Sequence, residues 1–246
     1  MVAGFGFTRG FLRLRGRGRA DLAGWGRAGL FGIAVLLGLL VLLSPLDAVA
    51  EDELLSAHML QHVVLGDLVP LLLVLALRGP LLFFVVPPRI GRFAAGIGPL
   101  FAFAFWLLAL GVWHIPAVYG AAISSPALHA AEHACFFAAG VLVWTQLVDP
   151  AQRRALSRWG AIGYAAVLLA AGQLLANTLI LTSRVVYPAY ADADLLGFSA
   201  RSDQDAAGLV MMLEQLSTLG TFVVLGVLAA FRAPLVVRGD SHPLRV

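Results

Sequence analysis

Six stretches of this chain are apolar for close to the roughly 20 residues that a helix needs to cross a bilayer. They run over 29–46, 54–77, 97–115, 127–148, 160–182 and 207–231. Inside hydrocarbon every backbone N–H and C=O has to be satisfied within the protein, so a spanning chain is either helical or a closed barrel. Barrel strands alternate polar-in and apolar-out over segments of about ten residues, and no stretch here does so. The rest of the composition agrees, with 60% hydrophobic residues, 13% charged residues and a mean hydropathy of +0.89. The expected fold is all-α, a polytopic membrane helix bundle of about six transmembrane helices.

Orientation follows from the basic residues, all 17 of which are arginine. Arg9, Arg13, Arg15, Arg17, Arg19 and Arg27 precede the first run, and Arg78, Arg89 and Arg92 follow the second. Arg153, Arg154 and Arg158 follow the fourth, and Arg232, Arg238 and Arg245 follow the sixth, which leaves only Arg184 and Arg201 for the other side. Asp47, Glu51, Asp52, Glu53, Asp192, Asp194, Asp203 and Asp205 fall in the opposite connections. Under the positive-inside rule both termini are cytoplasmic. The same distribution explains a pI near 9.6 without nucleic acid. Three parts are expected: an Arg-rich cytoplasmic N-terminal segment over 1–28, mobile or lying on anionic headgroups; a transmembrane helical domain over 29–232; and a cytoplasmic tail over 233–246. Ala48-Val49-Ala50 resembles a signal-peptidase site, but the apolar run before it is long for a cleaved signal, so the first helix reads as retained. Cys135, the single cysteine, excludes an internal disulfide.

Local signals place several helix ends. Ser125-Pro126 is an N-cap followed by a first-turn proline, and Ser202 with Asp205 gives a capping-box start for the sixth helix. Glu51, Asp52 and Glu53 suit the positive end of the second helix. Pro116 should end the third near Ile115, and Pro70 should kink the second near its middle. Trp25, Trp113, Trp144 and Trp159 read as an interfacial belt. Gln173, Asn177 and Thr178 read as helix-joining hydrogen-bond residues.

The topology brings five of the six histidines to one level. His58 and His62 lie about 9 to 15 Å below Asp52 at 1.5 Å rise per residue. His114 ends the outward third helix, and His129 and His133 occupy the first turns of the returning fourth. His58/His62 and His129/His133 are each four residues apart and so share a helix face. Such a set is a candidate metal centre, since costly polar groups inside a membrane are functional by default. Imidazole suits copper or zinc, and the thioethers of Met59 and of Met211 or Met212 tilt the choice towards Cu(I). Glu132 and Glu214 are candidate partners that orient an imidazole. The bland alternatives are helix-joining histidines and methionines that only fill space. Asp67 lies deeper and has no place in this reading, and His242 falls in the tail.

HMLQHVVLGDLVPLLLVLALRGP, VWHIPAVYGAAI, ALHAAEHACFFAAGVLVW and DQDAAGLVMM, in that order, resemble the CtaG family of multi-span cytochrome c oxidase assembly factors, the caa-type oxidase branch. The resemblance covers about 54–231. It implies a factor of the bacterial inner membrane that helps mature a haem-copper oxidase through its copper, with an oxidase subunit or a copper chaperone as partner. The matching positions are His58, His62, His114, His129, Glu132, His133, Asp203, Gln204 and Met211. Two departures stand out: a motif that often ends Met-Trp reads Met211-Met212 here, and six spans are fewer than in some members.

The leading reading is therefore a non-enzymatic assembly factor that holds copper, as Cu(I), on the residues His58, His62, His114, His129, His133, Met59, Met211 and Glu132. His129-Ala-Ala-Glu132-His133 also fits H-x-x-E-H, the inverted zinc-peptidase motif with its glutamate as general base. A haem-binding electron carrier is the third reading. Oligomeric state has no signature in the sequence.

Overall fold

The computed structural model describes residues 2–153, 155–191, 197 and 199–232, and among these every regular element is helical. In chain order the helices are α1 (Val2–Gly16), α2 (Trp25–Leu43), α3 (Leu46–Asp52), α4 (Leu55–Ala76), α5 (Leu82–Val85), α6 (Pro88–Ala95), α7 (Pro99–Trp113), α8 (Pro116–Ile123), α9 (Pro126–Val148), α10 (Arg158–Leu181) and α11 (Ala200–Arg232). Arg154, Asp192, Asp194, the tail over 233–246 and its His242 lie outside the described residues.

Five helices, α2, α4, α9, α10 and α11, are long and apolar enough to cross a membrane. The third expected span differs from the sequence reading. α7 is 15 residues long and rises only about 22 Å, short of the hydrocarbon core of about 30 Å. It meets α6 at a bend of 91°, and the two make a sixth span only if counted together. Pro99 explains the break, because it holds Gly98 in an extended conformation at φ −87°, ψ 169°.

α4 is the hub. Within its apolar window 56% of the residues are buried, against 17% in α2, and it packs against α2, α9 and α11. The outer surface is the reverse of a soluble protein's, with Ile33, Leu36, Leu39, Leu174, Leu213, Val224 and Leu228 all exposed. Inside lie His58, Gln61, His62, Glu132, Gln146, Gln204 and Gln215.

Pro70 acts through the helix's winding. Its ring would meet the carbonyl of Gly66 in a regular helix, and the chain widens into a π turn over Val64–Leu68 just before it. The displaced Gly66 carbonyl faces α9, where a Cβ on Gly140 would stand 1.9 Å from it. Only glycine allows α4 and α9 to approach this closely. A second π turn, Leu216–Gly220, interrupts α11.

Three end assignments change. α11 starts at Ala200, capped by the Ser199 hydroxyl, which accepts from the N–H of Ser202 at 3.2 Å; Ser202 is thus a first-turn residue, not the cap. The backbone of Glu51 and Asp52 closes α3. The start of α4 is instead served by Asp203 of α11, whose carboxylate accepts from the N–H groups of Leu55 at 2.7 Å and Ser56 at 3.1 Å. The Ser125 cap of α9 is present, accepting from Leu128 at 3.5 Å.

The N-terminal segment is not loose. α1 docks by Phe7 and Phe11 against Phe31 and Leu81, and the rings of Phe7 and Phe31 stack at 4.1 Å. Arg9 and Arg13 stay exposed on its other face. Arg27 donates to the Arg78 carbonyl, Gly79 to Pro150 at 2.9 Å and Arg153 to Ala94 at 3.2 Å. One end of the bundle is thereby an arginine end. At the other, the start of α4, the end of α7 and the starts of α9 and α11 converge.

Candidate metal centre

His58 and His62 share one face of α4, and their Nε2 atoms stand 2.8 Å apart. α9 brings His129 and His133 against them, with ring centroids 5.1 Å from His58 to His129, 5.3 Å from His62 to His133 and 4.2 Å between His129 and His133. Glu132 lies on the same side of α9, 3.9 Å from Nε2 of His58 and 3.6 Å from Nε2 of His62. It is 1% exposed, and neither carboxylate oxygen has a hydrogen-bond partner. Donor atoms of His58, His62 and His133, and separately of His58, His129 and Glu132, fall within 4.8 Å of one another. Two donors at about 2 Å from one ion stand up to about 4 Å apart, so either trio needs only a small contraction to close on a cation.

A tyrosine network sets the tautomer of His58. The Tyr190 hydroxyl gives its proton to the Ala50 carbonyl at 2.7 Å and accepts from Tyr119 at 3.1 Å. It therefore also accepts from Nδ1 of His58, 3.1 Å away. Nδ1 carries the proton, and Nε2 presents its lone pair to the cluster. Burial raises the Tyr119 phenol well above the ordinary tyrosine value, with Tyr190 adding to the effect, and burial likewise raises Tyr187. Both remain donors; Tyr187 gives its proton to the His114 carbonyl at 3.1 Å.

Of the eight residues read from the sequence as ligands, five thus converge: His58, His62, His129, Glu132 and His133. His133 is the half-buried one, at the edge of an apolar groove between α2 and α9 that Gly38, Leu42, Ala130 and Ala134 help to line. The other three, His114, Met59 and Met211, line an adjoining cavity with His62. Met212 is half-buried outside it, packs against the cluster that contains Leu55 and Met59, and lends its carbonyl to Gln173 at 3.1 Å. Glu132 faces the imidazoles directly and does not support one from behind. Glu214 orients no histidine and lies deeper, beside Asp67 and Thr218.

Asp67, deeper in the bundle, accepts from Trp144 and from Thr218 at 2.6 Å. Trp144 is 1% exposed, so it leaves the interfacial belt, whereas Trp25 and Trp159 are exposed. Gln173 does join helices, but Asn177 and Thr178 bond back to the Gln173 and Leu174 carbonyls of their own helix. Asp203 and Gln204 act as clamps. Gln204 donates to the Leu179 and Arg184 carbonyls and accepts from Val186.

Two contributions escaped the sequence reading. Gln61, fully buried, donates to the Val41 carbonyl and to Asp47, both at 2.7 Å, tying α2 and α3 to the site's helix. The tyrosines are the other. Three of the chain's four tyrosines sit in the two connections at the histidine end, a clustering that signals a shared polar task.

The family model for the cytochrome c oxidase caa3 assembly factor matches residues 5–233. The chain belongs to that family. Within the caa3 assembly factor match fall helices α2 to α11 and every residue of the cluster. The family's description is that of an assembly factor, which is consistent with a chain that is not an enzyme; within H-x-x-E-H, Glu132 stands against the imidazoles of His58 and His62. No curated protein and no solved structure matches the chain.

Proposed function

We propose that this assembly factor holds copper, as Cu(I), on His58, His62, His129, His133 and Glu132, and supports metallation of its oxidase client. What carries the reading is the enclosure of four imidazoles and an unpartnered carboxylate within an apolar bundle. Leaving the Glu132 carboxylate buried with neither oxygen hydrogen-bonded costs on the order of 1–3 kcal/mol for each unmet group, and a cation removes that cost. Nearby thioethers favour copper over zinc. Haem fits poorly, because the adjoining cavity is about 60 Å³ and small-molecule sites begin at roughly 300 Å³.

The arginine end faces the cytoplasm and the histidine end the extracytoplasmic side of the bacterial cytoplasmic membrane. The centre then stands where a client subunit or a soluble chaperone can reach it. Metal analysis of the full-length protein purified from copper-supplied membranes tests this. The wild type is expected to retain copper, and the variant with His58, His62, His129 and His133 replaced by Ala to lose it. Equal copper in both, or zinc in its place, would refute the proposal.

A further inference from the structure

Directly beneath the four imidazoles, between α4, α7, α9 and α11, lies a cavity of about 60 Å³ whose walls include Met59, His62, Asp67, His114, Met211 and Glu214. That is more than the roughly 10–15 Å³ one water needs, and enough for a cation. Three polar atoms of its lining residues are buried without hydrogen-bond partners: Nε2 of His114, Nδ1 of His62 and one oxygen of Glu214. His114 gives its Nδ1 proton to the Leu110 carbonyl at 2.8 Å, so its Nε2 bears a lone pair; that atom is buried and unpartnered. His114 is 9% exposed and His62 5%. His62 turns Nε2 towards His58, while its own Nδ1 is also buried and without a partner.

The geometry points to a second, deeper cation site in this cavity, a Cu(I) station formed by Nε2 of His114 and the thioethers of Met59 and Met211. It rests on the copper reading of the outer cluster only for the identity of the ion. One imidazole and two thioethers are soft, neutral donors, which select a monovalent d¹⁰ cation over zinc or magnesium. A buried cation also needs a counter-charge. The floor of the cavity supplies it. Asp67 is held there by Trp144 and Thr218, and one oxygen of Glu214 has no partner.

His62 stands between the two stations. A neutral imidazole has one lone pair, so His62 serves the outer ion through Nε2 or the inner ion through Nδ1, with its single proton on the other nitrogen. An ion entering among the histidines thus finds its next donors already in place one layer deeper.

Anaerobic titration of the full-length protein in detergent with Cu(I), against a competing chelator, followed by copper K-edge absorption, tests the inference. Two ions per wild-type chain are expected, with sulfur among the ligands. Met59→Leu/Met211→Leu, nearly isosteric, should bind one ion through nitrogen and oxygen alone. His129→Ala/His133→Ala should keep the sulfur signal. One ion without sulfur in the wild type overturns the inner station and leaves the outer site standing; two ions in the methionine variant also overturn it. No bound Cu(I) at all overturns both readings.

Discussion

Tyr190 shows how a single hydroxyl can set the tautomer of a histidine in the candidate centre. It holds His58 in the tautomer that frees Nε2, while its own proton anchors the Ala50 carbonyl. Tyr190→Phe removes that control and should weaken Cu(I) binding roughly 10- to 100-fold, the usual effect of losing a partner behind a ligand. Tyr187→Phe loses a comparable buried bond, to the His114 carbonyl, without touching His58. Both variants should melt earlier, and only the Tyr190 variant should release Cu(I) to a chelator in the outer-site range. Equal affinities would remove the positioning role. The histidines themselves were legible in the sequence, because i,i+4 spacing fixes a helix face. Tyr190 was not, since it reaches His58 across 132 residues, and no local period reports such a pairing.

Among the elements, α4 and α9 set the spacing of the site. They come close at Gly66 against Gly140, four residues below His62 and seven below His133. Gly140→Ala would drive a Cβ into the Gly66 carbonyl and should destabilise the fold by about 1–3 kcal/mol, the cost of overpacking. Gly120→Ala, with open space around it, is the matched control. Thermal unfolding in detergent should show a lower Tm for the first and none for the second; an unshifted Gly140 variant would mean the helices can part freely. The sequence announced a disturbance at Pro70, but a proline alone does not say whether a helix bends or widens. The neighbouring Gly66 and the facing Gly140 decide that, and their contact exists only after packing.

For the whole molecule, the division into a histidine end and an arginine end makes a topological prediction. In a Cys135→Ser background, Ser124→Cys should react with an impermeant thiol reagent in intact cells, and Ser157→Cys only after lysis. Both serines are exposed, Ser124 just before α9 at the histidine end and Ser157 as the cap of α10 at the arginine end. The reverse pattern would place the centre in the cytoplasm. Helix content and the convergence of the histidines were readable because hydropathy and arginine placement act over whole segments. The bend before α7 was hidden, since Pro99 lies inside an apolar run that looks continuous. Asp203 reaches back across 148 residues to Leu55. A ribosome therefore releases α4 with its leading amides unmet until nearly the entire chain has been translated. Nascent polypeptides stopped before α11 will lack that anchor, and the histidine end can close only once the last helix has inserted.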